Sequence, residues 1–534
     1  MLPVIIAGAG PTGLALAHAL AGYGVPSVVL DGAEAPPATR PARTCVLAGD
    51  TLGWTDLPGV AREAAPWTGW RTTHRGRTLA AEEFPPDGAP RHLPQHVLET
   101  ALRAAVAERD LVRIVPDHRL TDYEQRGSEV VVHTVRRAPE GLRAQARTLR
   151  GSHLVGCDGA RSTVRKLMNV PFPGRTGVER YAVAALRAEL PRPGEAGLHQ
   201  GLSSGEVTVR PLSGGRWRLD WPLPADGTLV TPETILDRVH GTLAAWHDGE
   251  IPPYELLDSG VHLCHQRLAR RWRDGRVFLA GDAAHLLGAL GTQQVAEGLR
   301  DAANLAWKLA VACHDGYAES LLDSYEAERR TLVAARLRAV DQALPLVRGG
   351  GLTARLTGRG RNRLTLLSDA HLGQGHLGAP PVLGASPIAC EPLRTLPSAT
   401  PPGAQAADVP VIALDGTRTR LRERLGGPLL LVLTAPGAGV WDAKHWLRAG
   451  LMPDLAAAAR SLPLPAELLV AENYPGAGPH TLLLVRPDGH LAAAVPAGDH
   501  ESLTMCARTL RGTTAPEVSA SSADPGNGRS PRHI

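Results

Sequence analysis

The feature that most constrains this 534-residue chain is a glycine-rich turn close to its start. The β-rich run Val4–Ala7 enters the pattern G-x-G-x-x-G, and leucines and alanines then recur at helical spacing. A second apolar run, 26–30, ends at the acid Asp31. Strand, glycine turn, helix, strand and acid follow each other in the order of a dinucleotide-binding βαβ unit.

Each part of this unit has a chemical purpose. Glycines let the backbone turn tightly and approach a pyrophosphate that is held at the helix N-terminus. The terminal acid is placed to accept hydrogen bonds from an adenosine ribose. This motif alone does not separate NAD from FAD. The residues that it predicts to bind the cofactor are Gly8, Gly10, Pro11, Thr12, Gly13 and Asp31.

Two later segments also place an acid after a predicted strand. In the first, 153–165, the strand runs into Asp158-Gly159, and Ser162 can cap a short helix. In the second, 276–285, an apolar strand ends in Gly281-Asp282, and a loop of small residues leads into another helix. An acid at the carboxyl end of such a strand is where a ribityl hydroxyl of a flavin would meet a carboxylate.

These three motifs in this order resemble those of the flavoprotein aromatic hydroxylases, the single-component FAD monooxygenases typified by para-hydroxybenzoate hydroxylase. The resemblance extends over roughly residues 3 to 345 and is strongest to the branch that tailors bacterial aromatic polyketides. The segment Leu321–Arg330 also looks like that branch. So do Arg43, which begins an Arg-x-x-x-Leu segment, and Gln95, where the family places a glutamine against the flavin.

The resemblance implies an α/β fold with a Rossmann-like FAD-binding domain, an inserted β-sheet substrate domain and a C-terminal thioredoxin-like domain. It implies that NADPH reduces FAD and that oxygen then forms a C4a-hydroperoxyflavin, whose distal OH passes to an electron-rich ring. It assigns no side chain to catalysis, because a phenolic ring is already nucleophilic. Beyond the first motif, the resemblance places at the flavin Arg43, Gln95, Asp158, Gly281, Asp282, Gly291, Thr292, Gln293, Gln294 and Val295.

The loop before the third helix departs from the family pattern. Family members usually have two prolines and then Gly-Gly-Gln-Gly-x-Asn, whereas this chain has Gly288, Ala289, Thr292, Gln294 and Ala296 at the changed positions. The backbone of that loop normally faces the flavin pyrimidine. Two interpretations stay open: neutral drift within a hydroxylase, or altered flavin chemistry such as Baeyer–Villiger insertion, multistep oxidation or weakened reduction by NADPH.

The segment between the second and third motifs predicts a hairpin around 213–215. Trp217, Leu219 and Trp221 share one face of its second strand. In the family this region is a sheet that covers the substrate, so these residues are candidates for lining an aromatic pocket. Ordinary sheet core is the equally weighted alternative.

Composition changes suggest the domain boundaries. We expect an FAD-binding domain over 1–175 and 265–395, which includes a long helix from 320 to 346, and a substrate domain over 176–264 plus about 70–100. A Gly- and Pro-rich connector leads to a thioredoxin-like domain over 396–512, which lacks a redox cysteine pair. The Ser-, Pro- and Gly-rich tail, 513–534, is predicted to be disordered.

Composition also excludes several classes. The net charge of +4 without a basic block argues against nucleic-acid or anionic-membrane partners. Six dispersed cysteines favour reduced thiols in a cytoplasmic protein, and the uncharged start of the chain lacks the basic n-region of a signal peptide. No stretch is apolar enough for a transmembrane span. The histidines show no metal-binding spacing, and His285 is expected to be structural rather than an acid or base.

The sequence therefore predicts an FAD-dependent monooxygenase that uses NAD(P)H and O2 to oxidise a polycyclic aromatic polyketide intermediate in antibiotic biosynthesis. Arg161 and Arg165 are candidates for contacting NADPH. The alternatives are Baeyer–Villiger or oxidative rearrangement on the same scaffold, and a non-redox flavin-binding cyclase or partner protein. A monomer or a homodimer is expected.

Overall fold

The structure is a computed structural model of the chain. It describes residues 1–33, 39–86, 88–136, 145–224, 227, 229–288, 294–316, 318–347, 382–383, 385–437 and 452–513. Most of the flavin loop, 289–293, and the predicted disordered tail beyond residue 513 lie outside the described residues.

A six-stranded sheet forms the centre of the N-terminal half. Its order is β18 (Arg273–Asp274), β19 (Val277–Leu279), β12 (His153–Gly156), β1 (Val4–Ala7), β2 (Ser27–Leu30) and β8 (Val112–Val115). Five strands run parallel, and β18 is an antiparallel edge. Every residue of β1, β2, β12 and β19 is buried, as expected for parallel strands whose two faces are both covered.

Helices cover this sheet through apolar faces. The four that contribute are α1 (Pro11–Gly22), α3 (Gln95–Ala107), α6 (Gln294–Asp315) and α7 (Glu319–Val347). Leu14 and Leu16 of α1, with Leu299 and Leu305 of α6, are fully buried in the shared core. Two short helices, α2 (Val60–Glu63) and α4 (Thr163–Leu167), complete this half, and Ser162 caps α4 as predicted by accepting a hydrogen bond from the Arg165 amide at 3.0 Å.

Two three-stranded sheets flank the central sheet. One contains β3 (Thr44–Leu47), β7 (Arg91–Pro94) and β4 (Ala65–Pro66). The other contains β11 (Gln145–Gly151), β10 (Glu129–Arg136) and β9 (His118–Arg126). The first matters for function, because β7 leads directly into α3 and so places Gln95 beside β3.

An eight-stranded, mostly antiparallel sheet forms the second layer. Its order is β20 (His285–Leu287), β17 (Tyr254–Leu268), β13 (Gly174–Ala188), β16 (Arg216–Leu223), β15 (Gly205–Leu212), β14 (Glu195–Leu202), β5 (Gly69–His74) and β6 (Arg77–Glu83). The predicted hairpin is confirmed, since β15 and β16 pair antiparallel with Arg210 opposite Arg218. Helix α5 (Pro232–Trp246) packs on one face of this sheet.

The C-terminal part contains a further mixed sheet of six strands. Its order is β22 (Arg418–Arg420), β21 (Pro410–Ala413), β24 (Ala466–Ala471), β23 (Leu429–Thr434), β25 (Thr481–Val485) and β26 (Leu491–Pro496). Helices α8 (Met452–Ser461) and α9 (His500–Leu510) pack against it. Every residue of β23 and β25 is buried, so these two strands lie in the interior of the sheet.

A buried ionic cluster joins this C-terminal sheet to the N-terminal half. Glu328 of α7 accepts hydrogen bonds from both terminal nitrogens of Arg486 at 2.8 Å and from Lys308 Nζ at 2.7 Å. Asn304 of α6 donates to Asp488 at 2.9 Å. None of the helices in the described ranges is long and apolar enough to cross a membrane.

Candidate functional site

Three adjacent parallel strands bring the three sequence motifs together. In the central sheet, β1 lies next to β12 and β12 lies next to β19, with Ala7 opposite Gly156 and Gly156 opposite Leu279. The motif residues follow immediately, because Gly8 comes after β1 and Asp158 and Asp282 come shortly after β12 and β19. The carboxyl ends of such neighbouring strands are where α/β sheets bind ligands.

Gly8 and Gly13 must be glycines for local reasons. Gly8 has a φ of +112°, and a β-carbon there would lie 2.3 Å from the carbonyl oxygen of Cys157. A β-carbon on Gly13 would lie 2.0 Å from the carbonyl oxygen of Gly8. Around Gly10, in contrast, none of the described residues has an atom within 4 Å of the corresponding position, so this side of the turn is open to a ligand.

Thr12 connects the first and third motifs. A β-carbon on Gly281, whose φ is +60°, would lie 2.5 Å from Thr12 Oγ1, and one on Gly298 would lie 2.1 Å from the same atom. Because Gly281 and Gly298 have no side chains, α1 can approach both the turn after β19 and helix α6 closely. The sequence assigned Thr12 and Gly281 to the cofactor, and the structure adds a packing role for both.

Asp31 directly follows β2, beside the glycine turn, and is paired with an arginine that the sequence did not predict. Arg103 of α3 donates to Asp31 Oδ2 at 2.7 Å and to the carbonyl oxygen of Ala9 at 3.2 Å. The second Asp31 oxygen accepts the Ala33 amide at 3.1 Å. No local sequence pattern marks Arg103, because α3 lies far along the chain from the glycine turn and from Asp31.

Asp158 has one oxygen engaged and one free. Its Oδ2 accepts the backbone amides of Thr163 and Val164, at 2.6 and 3.1 Å, and so caps α4. Its Oδ1 is buried without a hydrogen-bond partner among the described residues. A buried carboxylate oxygen of this kind needs a donor, and a bound cofactor with hydroxyl groups can supply one.

Asp282 is bonded by a residue of the altered loop. Gln294 Nε2 donates to Asp282 Oδ1 at 2.7 Å and to the His285 carbonyl oxygen at 2.9 Å, and Gln294 Oε1 accepts the Leu287 amide at 2.8 Å. Burial raises the pKa of Asp282, while the hydrogen bond from Gln294 opposes that rise. Val295 is half-buried next to it, whereas Gly291, Thr292 and Gln293 lie outside the described residues.

His285 is held inside a buried network, which agrees with the expected structural role. Its Nε2 lies 2.8 Å from Asp301 Oδ2, and its ring stacks on Trp272 with centroids 5.3 Å apart. Asp301 also accepts the Gly281 amide at 2.9 Å and Arg329 Nε at 2.8 Å. The network therefore fixes the turn that carries Asp282.

Arg43 and Gln95, which the sequence predicts to lie at the flavin, are hydrogen-bonded to each other. Arg43 Nε donates to Gln95 Oε1 at 3.1 Å, and Gln95 Nε2 donates to Glu99 Oε1 at 2.6 Å. Gln95 and Glu99 are buried, while Arg43 is exposed. Glu99 was not predicted, although it lies one helical turn after Gln95.

Asp50 forms an ion pair with an arginine of α6. Asp50 accepts two hydrogen bonds from Arg300 of α6, at 2.7 and 2.6 Å. Arg300 also donates to Glu297 at 2.6 Å. The Arg300 guanidinium beside Asp50 lowers the pKa of that carboxyl against the opposing effect of burial.

The two arginines suggested for NADPH differ in their surroundings. Arg165 is buried, donates to the carbonyl oxygens of Ala283 and Ala160 at 2.8 and 2.9 Å, and lies 3.9 Å above the Phe172 ring. Arg161 is exposed. Arg165 thus ties α4 to the Asp282 turn, and a role in contacting NADPH stays a prediction for Arg161.

Trp217, Leu219 and Trp221 lie in the core between the eight-stranded sheet and α5. Trp217 Nε1 donates to the Ala188 carbonyl oxygen at 3.1 Å, and Trp221 Nε1 donates to Thr242 Oγ1 of α5 at 3.1 Å. The neighbouring residues of β16 point to the other face, where Arg218 donates to Thr44 Oγ1 at 2.9 Å. These positions match sheet core, and a pocket-lining role for the three stays untested.

The arrangement fits a dinucleotide cofactor. Among the described residues, it offers an open glycine turn at Gly10 and a buried Asp158 oxygen without a hydrogen-bond partner. It also offers the exposed guanidinium of Arg43, which is hydrogen-bonded to Gln95. Within the described ranges, His, Cys, Asp and Glu residues form no group of three that could hold a metal ion. The site therefore combines donors and acceptors for phosphates and hydroxyls.

Comparisons with known proteins agree with this geometry. The protein family described as "FAD binding domain" matches residues 1–340. A 3-(3-hydroxy-phenyl)propionate/3-hydroxycinnamic acid hydroxylase of Mycobacterium sp. (strain JLS) is 32% identical over 340 residues, which are 61% of this chain. Those residues span 57% of that hydroxylase, so this chain matches just over half the length of the relative.

Two Streptomyces relatives and one solved structure match over more of their length. A 12-dehydrotetracycline 5-monooxygenase/anhydrotetracycline 6-monooxygenase of Streptomyces rimosus is 30% identical, covering 96% of this chain and 99% of that protein. A dialkyldecalin synthase of Streptomyces rugosporus is 32% identical, covering 66% and 76%. Aklavinone-11 hydroxylase, solved with FAD and aklavinone, superposes with a TM-score of 0.72 at 23% identity, covering 96% and 99%.

Proposed function

Because this chain belongs to the FAD binding domain family, we propose that it is an FAD-dependent monooxygenase that oxidises a polycyclic aromatic polyketide. The single observation that carries the proposal is the convergence of Gly8, Asp158 and Asp282 at the ends of three adjacent strands. The match to a tetracycline-pathway monooxygenase over 96% of this chain supports the substrate class.

The proposed roles of the residues follow from their positions. Asp31, paired with Arg103, accepts the ribose hydroxyls, and the open glycine turn receives the pyrophosphate. Asp158 and Asp282 accept hydrogen bonds from the ribityl hydroxyls, and Arg43 lies against the flavin with Gln95 behind it. When bound, FAD supplies the oxygen-activating chemistry, and the protein supplies orientation and exclusion of water.

The substrate is proposed to lie between the cofactor residues and one face of the eight-stranded sheet. On that face Tyr181, Val183 and Ala185 of β13 pack near Ala42, the residue before Arg43. The opposite face is filled by α5. Residues 176–264 with about 70–100 would then form the substrate domain, 1–175 and 265–395 the FAD domain, and 396–512 a thioredoxin-like domain that contributes packing.

NADPH is proposed as the electron donor, with exposed Arg161 as a contact for its phosphates. In the overall reaction NADPH and a proton are consumed, one oxygen atom of O2 enters the substrate, and the other leaves as water. Arg165 is the residue to compare with Arg161, because the Arg165 guanidinium already donates hydrogen bonds to backbone carbonyls.

Stopped-flow spectroscopy with anhydrotetracycline and aklavinone as probe substrates tests the monooxygenase. We expect NADPH to bleach the oxidised flavin faster when a probe is present, and labelled O2 to place one heavy oxygen in the product. Arg161→Ala should slow reduction at limiting NADPH and leave the FAD content intact. An enzyme whose flavin stays oxidised with every probe would refute the proposal.

A cyclase is the second candidate, and the relationship to a dialkyldecalin synthase favours it. The altered loop residues Gly288 and Gln294 are compatible with a flavin that is bound without turnover. A cyclase would convert its substrate anaerobically, without NADPH and without a change in flavin absorbance. Baeyer–Villiger insertion remains distinguishable from hydroxylation, because its product is an ester or lactone.

A further inference from the structure

The side chain of Gln294 makes three hydrogen bonds that determine its orientation. The Leu287 amide can only donate, so the atom 2.8 Å from it must be the amide oxygen of Gln294. The His285 carbonyl can only accept, so the atom 2.9 Å from it must be the nitrogen. The remaining N–H of Gln294 is therefore directed to Asp282 Oδ1 at 2.7 Å.

These bonds connect the acid to a strand of the second sheet. Both backbone partners of Gln294, the His285 carbonyl and the Leu287 amide, belong to β20, which pairs with β17 of the eight-stranded sheet. Asp282 lies in the turn that follows β19 of the central sheet. Gln294 thus holds the Asp282 carboxylate from the side of β20 and leaves Oδ2 for another donor.

We propose that Gln294 is a positioning residue for FAD, which holds the Asp282 carboxylate in the orientation and charge state that the ribityl hydroxyls require. The inference rests on the FAD-binding role proposed for Asp282 and not on oxygenation. It also gives a function to a residue that replaces a glycine of the family pattern, since the larger side chain donates a hydrogen bond to Asp282.

The electrostatic surroundings agree with this role. Burial raises the pKa of the Asp282 carboxyl, and the Gln294 hydrogen bond, His285 and Arg43 each act in the opposite direction. His285 is engaged by Asp301, and Arg43 by Gln95. Gln294 is therefore the group among these that donates a hydrogen bond directly to Asp282.

The pH dependence of FAD affinity separates positioning from simple packing. FAD dissociation constants of the apo-protein, measured by flavin fluorescence between pH 4 and 8, should rise in the parent as Asp282 becomes protonated. In Gln294→Leu the midpoint should move up by about one pH unit, because a donor to the charged form is lost. At neutral pH the constant should rise about tenfold.

Gln200→Leu is the matched control. Gln200 Nε2 donates to Glu206 Oε2 at 2.7 Å, burial also raises the pKa of Glu206, and the pair lies in the eight-stranded sheet away from the three motifs. Gln200→Leu should leave both the FAD affinity and its pH profile unchanged. Gln294→Glu provides a second test variant, since it keeps an acceptor for Leu287 and moves the midpoint upward through sharing a proton with Asp282.

The double variant decides the result. In an Asp282→Asn background nothing titrates at position 282, so adding Gln294→Leu should leave the pH profile as it is. The inference is overturned if Gln294→Leu lowers the melting temperature while the pH profile of FAD binding stays that of the parent. It is also overturned if the shift persists with Asn at 282. A protein that binds FAD as described and fails to oxygenate would refute the monooxygenase alone.

Discussion

Thr12 and Gly298 are packed so closely that a β-carbon on Gly298 would lie 2.1 Å from Thr12 Oγ1. The contact joins the glycine turn of α1 to the first turns of α6, and Thr12 meets Gly281 on the same side. The hydroxyl group of Thr12 therefore sets how closely α1 and α6 can approach each other at the cofactor end of the sheet.

Gly298→Ala should destabilise the protein by about 1–3 kcal/mol, the usual effect of overpacking a core. It should also lower the FAD content, because Thr12 would have to leave the glycine turn. Thr12→Ala removes the obstructing oxygen, so the double variant should recover most of the lost stability. Thermal unfolding of the four proteins gives the coupling. Gly53→Ala serves as the control, because no atom of the described residues lies within 4 Å of the added β-carbon.

Arg103→Met should weaken FAD binding about tenfold, because Asp31 loses its charged hydrogen bond at 2.7 Å. The methionine keeps the apolar stem and removes the guanidinium. Titration of apo-protein with FAD measures the effect. Arg109→Met, an exposed arginine just beyond α3, should bind FAD like the parent. Equal affinities of the two variants would show that Arg103 has no part in the site.

Asp282→Asn should stabilise the cofactor-free protein at neutral pH while it weakens FAD binding. The folded pKa of Asp282 is raised above its unfolded value of 3.8, so the folded state holds the proton more tightly. Stability that this proton contributes is present at low pH and is lost as the pH rises through the folded pKa. The melting temperature of apo Asp282→Asn should exceed that of the parent near pH 7 and approach it near pH 4.

The sequence predicted the parts of the site that local patterns encode. A strand followed by glycines or by an acid is recognisable within about ten residues, and Gly8, Asp158 and Asp282 meet as expected because neighbouring parallel strands end at one edge. Arg103 was missed because it reaches Asp31 through a tertiary contact. Glu99 lies one helical turn after Gln95, so the i,i+4 spacing in α3 was the signal that could have found it.

Strand alternation explains the uncertainty about the three β16 residues. The pattern correctly placed Trp217, Leu219 and Trp221 on one face, because side chains alternate along a strand. It contained no information on which face α5 covers. The covered face depends on how α5, which follows β16 in the chain, packs back against the sheet. This packing is determined only in the folded chain.

Trp217→Phe and Tyr181→Phe should therefore have different effects. Trp217 donates to a backbone carbonyl in the α5 core, so its replacement should lower stability by about 1 kcal/mol and leave substrate affinity unchanged. Tyr181 lies on the face next to Ala42, and its replacement should change KM for the polyketide. Steady-state kinetics with thermal unfolding distinguishes them. A KM effect in Trp217→Phe and none in Tyr181→Phe would reverse the assignment of the faces.

Glu328→Gln should separate the C-terminal sheet from the rest of the protein. Glu328 is fully buried and receives hydrogen bonds from Lys308 and Arg486, whose charges would be left without that carboxylate. Removing one partner of a buried ion pair destabilises a protein by about 3–5 kcal/mol, whereas an exposed pair contributes about 0–1 kcal/mol.

The control is Glu319→Gln, a change in the same helix as Glu328. It removes an ion pair between the exposed Glu319 side chain and Arg273 of β18. Calorimetry and limited proteolysis should show Glu328→Gln melting in two steps, with cleavage near the C-terminal sheet first, and Glu319→Gln melting as the parent does. The reason is that Arg486 directly follows β25 and Glu328 lies in the middle of α7, so this cluster links the C-terminal sheet to α7 through buried charges. A single transition with an unchanged melting temperature would show that the apolar contacts of Trp307 and Leu321 with the C-terminal core suffice.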